Sequence, residues 1–159
     1  MIKICFVCTG NTCRSIMAER LMKKMLKDRK IEDVKVSSRG LNANGENITD
    51  NAKQTLKAFG ASSSNRKSVK LGKIDKNTTY VTMTEAQKNY LNSENVISYK
   101  ELLGYEIIDP YGQSLDVYKK CAKDIMQGIN ILIEKLELWR WKYDNISKWP
   151  RWIFTKRRN

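Results

Sequence analysis

Residues 7–15 read VCTGNTCRS, which places two cysteines, a glycine, an asparagine, an arginine and a serine within nine positions. Three kinds of chemistry draw on such residues: metal binding, a thiol–disulfide pair, or a loop around one reactive thiolate. Cys5 and Cys8 form a C-x-x-C with Cys13 close by, but a structural zinc needs four ligands and most catalytic zinc sites need three. In a regular strand Cys5 and Cys8 point to opposite faces, Cys121 is remote, and the chain has no histidine. No metal site is expected. A redox C-x-x-C activates its first sulfur at a helix start, whereas here the first cysteine lies inside an apolar run. Cys8 and Cys13 are better placed, since a loop can bring their sulfurs together, and Cys13 is a candidate redox partner of Cys8. That reading leaves Arg14 and the glycine without a role.

The third reading uses every residue. Cys8 and Arg14 make a C-x5-R between a strand and a helix. The intervening Thr9, Gly10, Asn11, Thr12 and Cys13 can turn successive backbone N–H groups toward one centre, an anion-binding nest at a helix N-terminus. Gly10 permits a positive φ, and Asn11 tolerates a left-handed conformation while its side chain can tie the loop together. Arg14 offers a planar fork for two phosphate oxygens. The same positive groups stabilise a thiolate, and Ser15 is placed to give Cys8 a hydroxyl hydrogen bond that eases departure of sulfur. Phosphoryl transfer also needs a proton for the leaving atom. Without histidine this falls to a carboxylate, and Asp109, stiffened by Pro110 in IIDPYG, is the candidate.

These residues must be positioned by a scaffold. IKICFV (2–7), VKVSS (34–38), TTYVTM (78–83) and NVIS (95–98) read as strands. Helices are expected from Ser15, over 49–60 with Thr49 as N-cap and Gly60 as stop, over 84–91, and from Ser114 onward. In the last, Val117, Cys121, Ile125, Gly128, Ile129, Leu132 and Leu136 form a core-facing stripe, with Cys121 a small apolar residue in it. This order predicts an α/β fold: a four-stranded parallel sheet with helices on both faces and the phosphate-binding loop after strand 1. Ligands of such sheets bind at the carboxyl ends of strands, where VCTGNTCRS lies.

A chain of 159 residues is long enough for one domain that buries about 70% of its unfolded surface. No run reaches the roughly 18 apolar residues of a membrane span. The stretch MIKICFVC is too short for an export signal, so reduced thiols and a cytoplasmic location are expected. The net charge of +13 favours anionic partners.

With FVCTGNTCRS and MAE (17–19) near one end and DPYGQSLDVYKK (109–120) near the other, the chain resembles the low-molecular-weight protein tyrosine phosphatase family over residues 1–138. The resemblance implies that Cys8 forms a phosphocysteine, that Arg14 binds the phosphoryl oxygens, and that Asp109 acts as acid and then as base. It implies that Asn11, Ser15 and Ser38 support the loop, that the substrate is a phosphorylated protein, and that no metal or organic cofactor is needed. Thr12 stands where tyrosine-specific members carry a larger aliphatic residue. CTGNTCRS thus resembles a bacterial branch that includes protein-arginine phosphatases, in which threonine favours the flat phosphoguanidinium group. Phosphoarginine is the expected substrate, with phosphotyrosine or both as the alternative. Tyr111 fits either an aromatic wall beside the substrate or a packing role. Ile16 replaces a usual proline, and Asn65 falls near a frequent histidine, so support from that position must differ.

Two rivals belong to other classes. A thioredoxin-coupled arsenate reductase shares the fold but needs two mid-chain cysteines, and residues 14–120 contain none. A binding protein could use residues 139–159, which hold all four tryptophans and seven Lys/Arg against one acid, Asp144. That segment suits a membrane interface or a polyanion, or simply packs its aromatics on the domain. A boundary is expected at 138, because the WRWKY alternation and Pro150 argue against a simple continuation of the long helix.

Overall fold

The computed structural model describes residues 1–63 and 65–142, with side chains through residue 138. Strand β1 (Ile2–Cys8) is buried from Ile4 to Cys8. Its even residues Ile4, Phe6 and Cys8 join one core cluster, while Cys5 and Val7 join another on the opposite face. Two covered faces explain why its sequence is a continuous apolar run rather than an alternation. β2 (Val34–Gly40) and β3 (Thr78–Thr82) pair in parallel with β1 on either side, and β4 (Val96–Ser98) pairs in parallel with β3. The order is β2-β1-β3-β4. The chain winds outward from β1 to β2 and then crosses to β3, so the loop after β1 sits where the winding reverses, the ligand position of open α/β sheets.

Helices α1 (Arg14–Asp28), α2 (Asp50–Ala58), α4 (Tyr99–Leu103) and α5 (Leu115–Lys142) bring apolar residues to the larger core. α3 (Glu85–Leu91) covers the other face, where Leu91, Leu41, Leu71 and Ile74 pack on Cys5, Val7, Tyr80 and Val96. The expected α/β fold with helices on both faces is therefore present. Capping follows the sequence: Thr49 Oγ1 accepts from Ala52 N at 3.3 Å, Thr84 and Gln87 form a capping box, and Gly60 has φ 70 just past α2.

Several boundaries differ from expectation by a residue or two, and three differences matter for the site or the C-terminal end. β1 extends one residue, to Cys8, and β2 two, to Gly40. α4 is an additional helix that starts directly after β4, with Ser98 and Glu101 as its capping box. α5 continues through Lys142, so Trp139–Lys142 do extend the long helix. The remainder of the Trp-rich segment, 143–159, and any surface contact through it lie outside the described residues. The α5 stripe is wider than expected, adding Tyr118, Ala122 and Ile133.

Gly128 shows why that stripe contains a glycine. The fully buried ring of Tyr99 lies over it, and a Cβ there would collide with Tyr99 Cε1 and sit 2.9 Å from Cδ1. The ring cannot swing aside, because Tyr99 donates to Ile125 O at 2.8 Å. Gly128→Ala should therefore destabilise the fold although alanine is worth about 1 kcal/mol more than glycine in a helix interior. Overpacking costs about 1–3 kcal/mol. A lower urea midpoint with unchanged slope is the expected result, and a raised midpoint would show that the Tyr99 ring yields space for the added methyl group.

Candidate active site

Cys8 is the last residue of β1 and lies opposite Gly40, the last of β2. Beyond it the chain turns through a loop whose carbonyls are taken up on its outer side. Leu41 N donates to Cys8 O at 2.9 Å, Asn42 N to Thr9 O at 2.8 Å, Thr49 N to Thr12 O at 3.2 Å and Met17 N to Cys13 O at 3.0 Å. In a planar trans peptide the C=O and the next N–H point in opposite directions. Outward carbonyls at 8, 9, 12 and 13 thus turn the N–H groups of Thr9, Gly10, Cys13 and Arg14 inward. The β2 end must come very close to make these bonds. A Cβ on Gly40 would lie 2.9 Å from Gly10 C and from Thr9 O, so only glycine fits at position 40.

The sulfur at the base of this ring is buried. Cys8 Sγ accepts from Asn11 N at 3.2 Å and lies 3.0 Å from Ser15 Oγ. Asn11 takes the left-handed conformation, with φ 56, whereas Gly10 does not use the positive φ open to it. Asn11 can hold that conformation because its amide is fully engaged. Nδ2 donates to Ser15 Oγ at 2.7 Å and Ser38 Oγ at 3.0 Å, and Oδ1 accepts from Val69 N at 3.0 Å. Ser15 and Ser38 thus converge on the loop from α1 and β2.

Arg14 opens α1 and is buried, its Nη1 donating to Ile107 O at 3.1 Å and its Nη2 lying 3.3 Å from Asp109 Oδ2. The guanidinium reaches from the loop to the 107–114 segment, so the acid stands at the mouth of the ring. Asp109 Oδ1 also accepts from Tyr111 N at 3.2 Å. Asn51 on α2 donates to Gln113 O at 3.0 Å and Ser114 caps α5, fixing both ends of the segment. Tyr111 is exposed beside Asp109, as is Ile108. Thr12 is half-buried, its carbonyl pinned by Thr49. Cys13 Sγ is turned toward Thr49 Oγ1 at 3.4 Å and Tyr118 Oη at 3.2 Å. Burial, with Asp109 and Asp124 nearby, pushes the Cys121 thiol up to about 12 despite Arg14, so it stays a neutral core residue.

Two charged residues behind the loop had no role in the sequence reading. Glu19 is buried on α1, where its Oε1 accepts from Lys23 at 2.6 Å and its Oε2 from Ser38 Oγ at 2.5 Å. Arg66, next to the Asn65 of the sequence comparison, donates to Glu19 Oε2 at 2.9 Å, Ser38 Oγ at 2.8 Å and Asn11 Oδ1 at 3.3 Å. Burial raises the Glu19 carboxyl, but hydrogen bonds from Lys23 and Ser38 and the charges of Lys23 and Arg66 outweigh it, and the pKa lies below the ordinary value. An acid within an apolar helical face was the available signal for Glu19. Arg66 had none, because it lies in an aperiodic loop.

The sequence profile of the low molecular weight phosphotyrosine protein phosphatases matches residues 3–139. The chain belongs to that family. This phosphatase is 32% identical to a protein-arginine-phosphatase of Geobacillus stearothermophilus over 146 residues, 85% of the chain and 96% of the relative. It is 34% identical over 145 residues to the low molecular weight protein-tyrosine-phosphatase PtpB of Staphylococcus epidermidis, covering 86% and 97% of the two chains. Among solved structures, the YwlE arginine phosphatase of Geobacillus stearothermophilus superposes with TM-score 0.81 at 30% identity, covering 92% of this chain and all of the other. A low molecular weight protein tyrosine phosphatase from T. tengcongensis superposes with TM-score 0.76 at 31% identity, covering 85% and 99%. The enzyme is thus a low-molecular-weight protein phosphatase, a hydrolase acting on phosphorylated proteins. No helix among the described residues is long and apolar enough to cross a membrane.

Proposed function

We propose that this phosphatase hydrolyses phosphoarginine in proteins, with Cys8 as nucleophile, Arg14 as phosphoryl clamp and Asp109 as acid and base. The Cys8 thiolate attacks phosphorus as the P–N bond breaks, and the electron pair goes to the guanidino nitrogen, which takes the Asp109 proton. Arginine leaves and a phosphocysteine remains. Water then gives a proton to the Asp109 carboxylate and attacks phosphorus, the P–S bond breaks, and phosphate leaves the restored thiolate. The inward N–H groups and Arg14 stabilise the equatorial oxygens throughout, while Ser15 Oγ, 3.0 Å from the sulfur, supports it as leaving group.

The choice of substrate is carried by Thr12. Its carbonyl is pinned to Thr49 N, and its half-buried side chain lies on the loop between the proposed nucleophile and Arg14. A short hydroxyl-bearing wall suits a planar polar guanidinium, and the resemblance to named arginine phosphatases supports the same reading. A second reading, action on phosphotyrosine, draws on the exposed Tyr111 and Ile108 beside Asp109, an apolar rim suited to an arene. Matched phosphoarginine and phosphotyrosine peptides separate the two. The expected kcat/KM favours phosphoarginine at least about tenfold, or ~1.4 kcal/mol of transition-state binding, and Thr12→Ile should reverse the order. A preference for phosphotyrosine in both proteins would make Thr12 a packing residue and the enzyme a tyrosine phosphatase.

A further inference from the structure

The polar chain behind the loop has a direction that its donors and acceptors force. An ionised Glu19 only accepts, so the Ser38 hydroxyl must donate to it. Both Ser38 lone pairs then face Arg66 Nη2 and Asn11 Nδ2. Asn11 is thereby oriented with its NH2 toward Ser38 and Ser15 and its oxygen toward Val69 N and Arg66 Nη1. Ser15 Oγ accepts from Asn11, which leaves the Ser15 proton for Cys8 Sγ. Val69 N–H also fixes the Asn11 oxygen, so what the charge on Glu19 sets is the direction of the Ser38 hydroxyl and, with it, the lone pair that Ser38 offers to Asn11. A protonated Glu19 can donate to Ser38 instead, and the chain loses its single direction.

We propose that Arg66 is a positioning residue which, by holding Glu19 ionised and Asn11 in one orientation, aims the Ser15 proton at the Cys8 sulfur throughout the enzyme's working pH range. The inference rests on the reading of Cys8 as nucleophile. A guanidinium suits this task because it offers donors in a planar fork and does not lose its charge. The charged and titratable groups around the Arg66–Glu19 pair are Lys23 from α1, Cys5 from β1, Arg39 from β2, and Lys67 next to Arg66 in its own loop, with Cys8 reached only through Asn11 and Ser15. Glu19 is the carboxylate of this set. With Arg66 uncharged, burial acts on Glu19 against Lys23 and the Ser38 hydrogen bond alone, and Lys23 is partly exposed. Glu19 then protonates at higher pH, and the active form of the chain is lost as pH falls.

The test is the pH profile of kcat for wild type, Arg66→Met, Arg66→Lys and Arg66→Met/Glu19→Gln, with Cys8→Ser as control. Arg66→Met should lower kcat by roughly tenfold or more at low pH and add an acid-side ionisation absent from wild type. Arg66→Lys keeps a charge and should keep the wild-type profile, and the double variant should lose the added ionisation. Arg66→Gln, which retains an N–H donor but no charge, replaces Arg66→Met if that variant does not fold. A uniform loss at every pH, or no loss, overturns the positioning role while an inactive Cys8→Ser leaves the phosphatase reading intact. Turnover by Cys8→Ser would instead remove the reading on which the inference rests.

Discussion

Cys8→Ser should leave a folded protein that binds phosphate and turns nothing over. The loss in kcat is expected to be about 10⁴-fold or more, because the nucleophile is the reacting atom and a serine hydroxyl in this setting has no base beside it. The chain has no histidine at all, and the neighbouring Ser15 and Asn11 groups serve to donate toward the sulfur position. The fold should persist, since a serine oxygen can accept the same Asn11 N–H and Ser15 hydroxyl bonds. The anion site should persist for a separate reason: its ring is shaped by carbonyl ties to 41, 42, 49 and 17, none of which involves the sulfur. In the proposed mechanism the substitution removes the thiolate charge from the base of the ring, which favours a bound dianion, so calorimetry with inorganic phosphate should give a Kd equal to or below that of the wild type. Near-normal turnover in Cys8→Ser would sink the mechanism.

The second large effect belongs to Asp109→Asn. General acid catalysis contributes typically 10²–10⁴-fold, and a loss of about that size in kcat is expected on phosphoarginine peptides. Asparagine keeps the volume and can still accept from one of the two donors, Tyr111 N at Oδ1 or Arg14 Nη2 at Oδ2, which now meet Asp109 at 3.2 and 3.3 Å, and the segment stays tied by Asn51 and the Ser114 cap. The loss should depend on the leaving group. A guanidino nitrogen departs only when protonated, whereas a nitrophenolate carries its own negative charge with little help. Rates on phosphoarginine, phosphotyrosine and nitrophenyl phosphate should thus fall by successively smaller factors. An equal fall on all three would mean that the substitution has disturbed the loop rather than withheld a proton.

That Cys8, Arg14 and Asp109 come together was legible because the proposed chemistry fixes their spacing. A nucleophile and an arginine that share one anion must stand one loop apart, and an acid without histidine must be a carboxylate beside a strand end. The sheet and four of its helices were legible from buried apolar runs and helical stripes. α4 was not, because five residues directly after β4 leave no break in the pattern, although Ser98 and Glu101 carried its capping signal. Asn11 takes the left-handed φ and Gly10 does not, since sequence gives which residues tolerate that conformation but not which one the ring will bend at. Arg66 is the extreme case. Its value lies in partners 47, 28 and 55 positions away, and no local pattern records a contact at that separation.

The outward ties of the loop carry a further consequence, for how the catalytic segment can be moved or copied. VCTGNTCRS contains the thiol, the arginine and the serine, yet its curvature is written in residues 40–49, which clasp its carbonyls and come close enough to demand Gly40. A peptide cut to β1 and α1 would hold the nucleophile and its clamp and lack the clasp that turns its amides inward. The nine residues are the chemistry, and the strand end beside them is the mould.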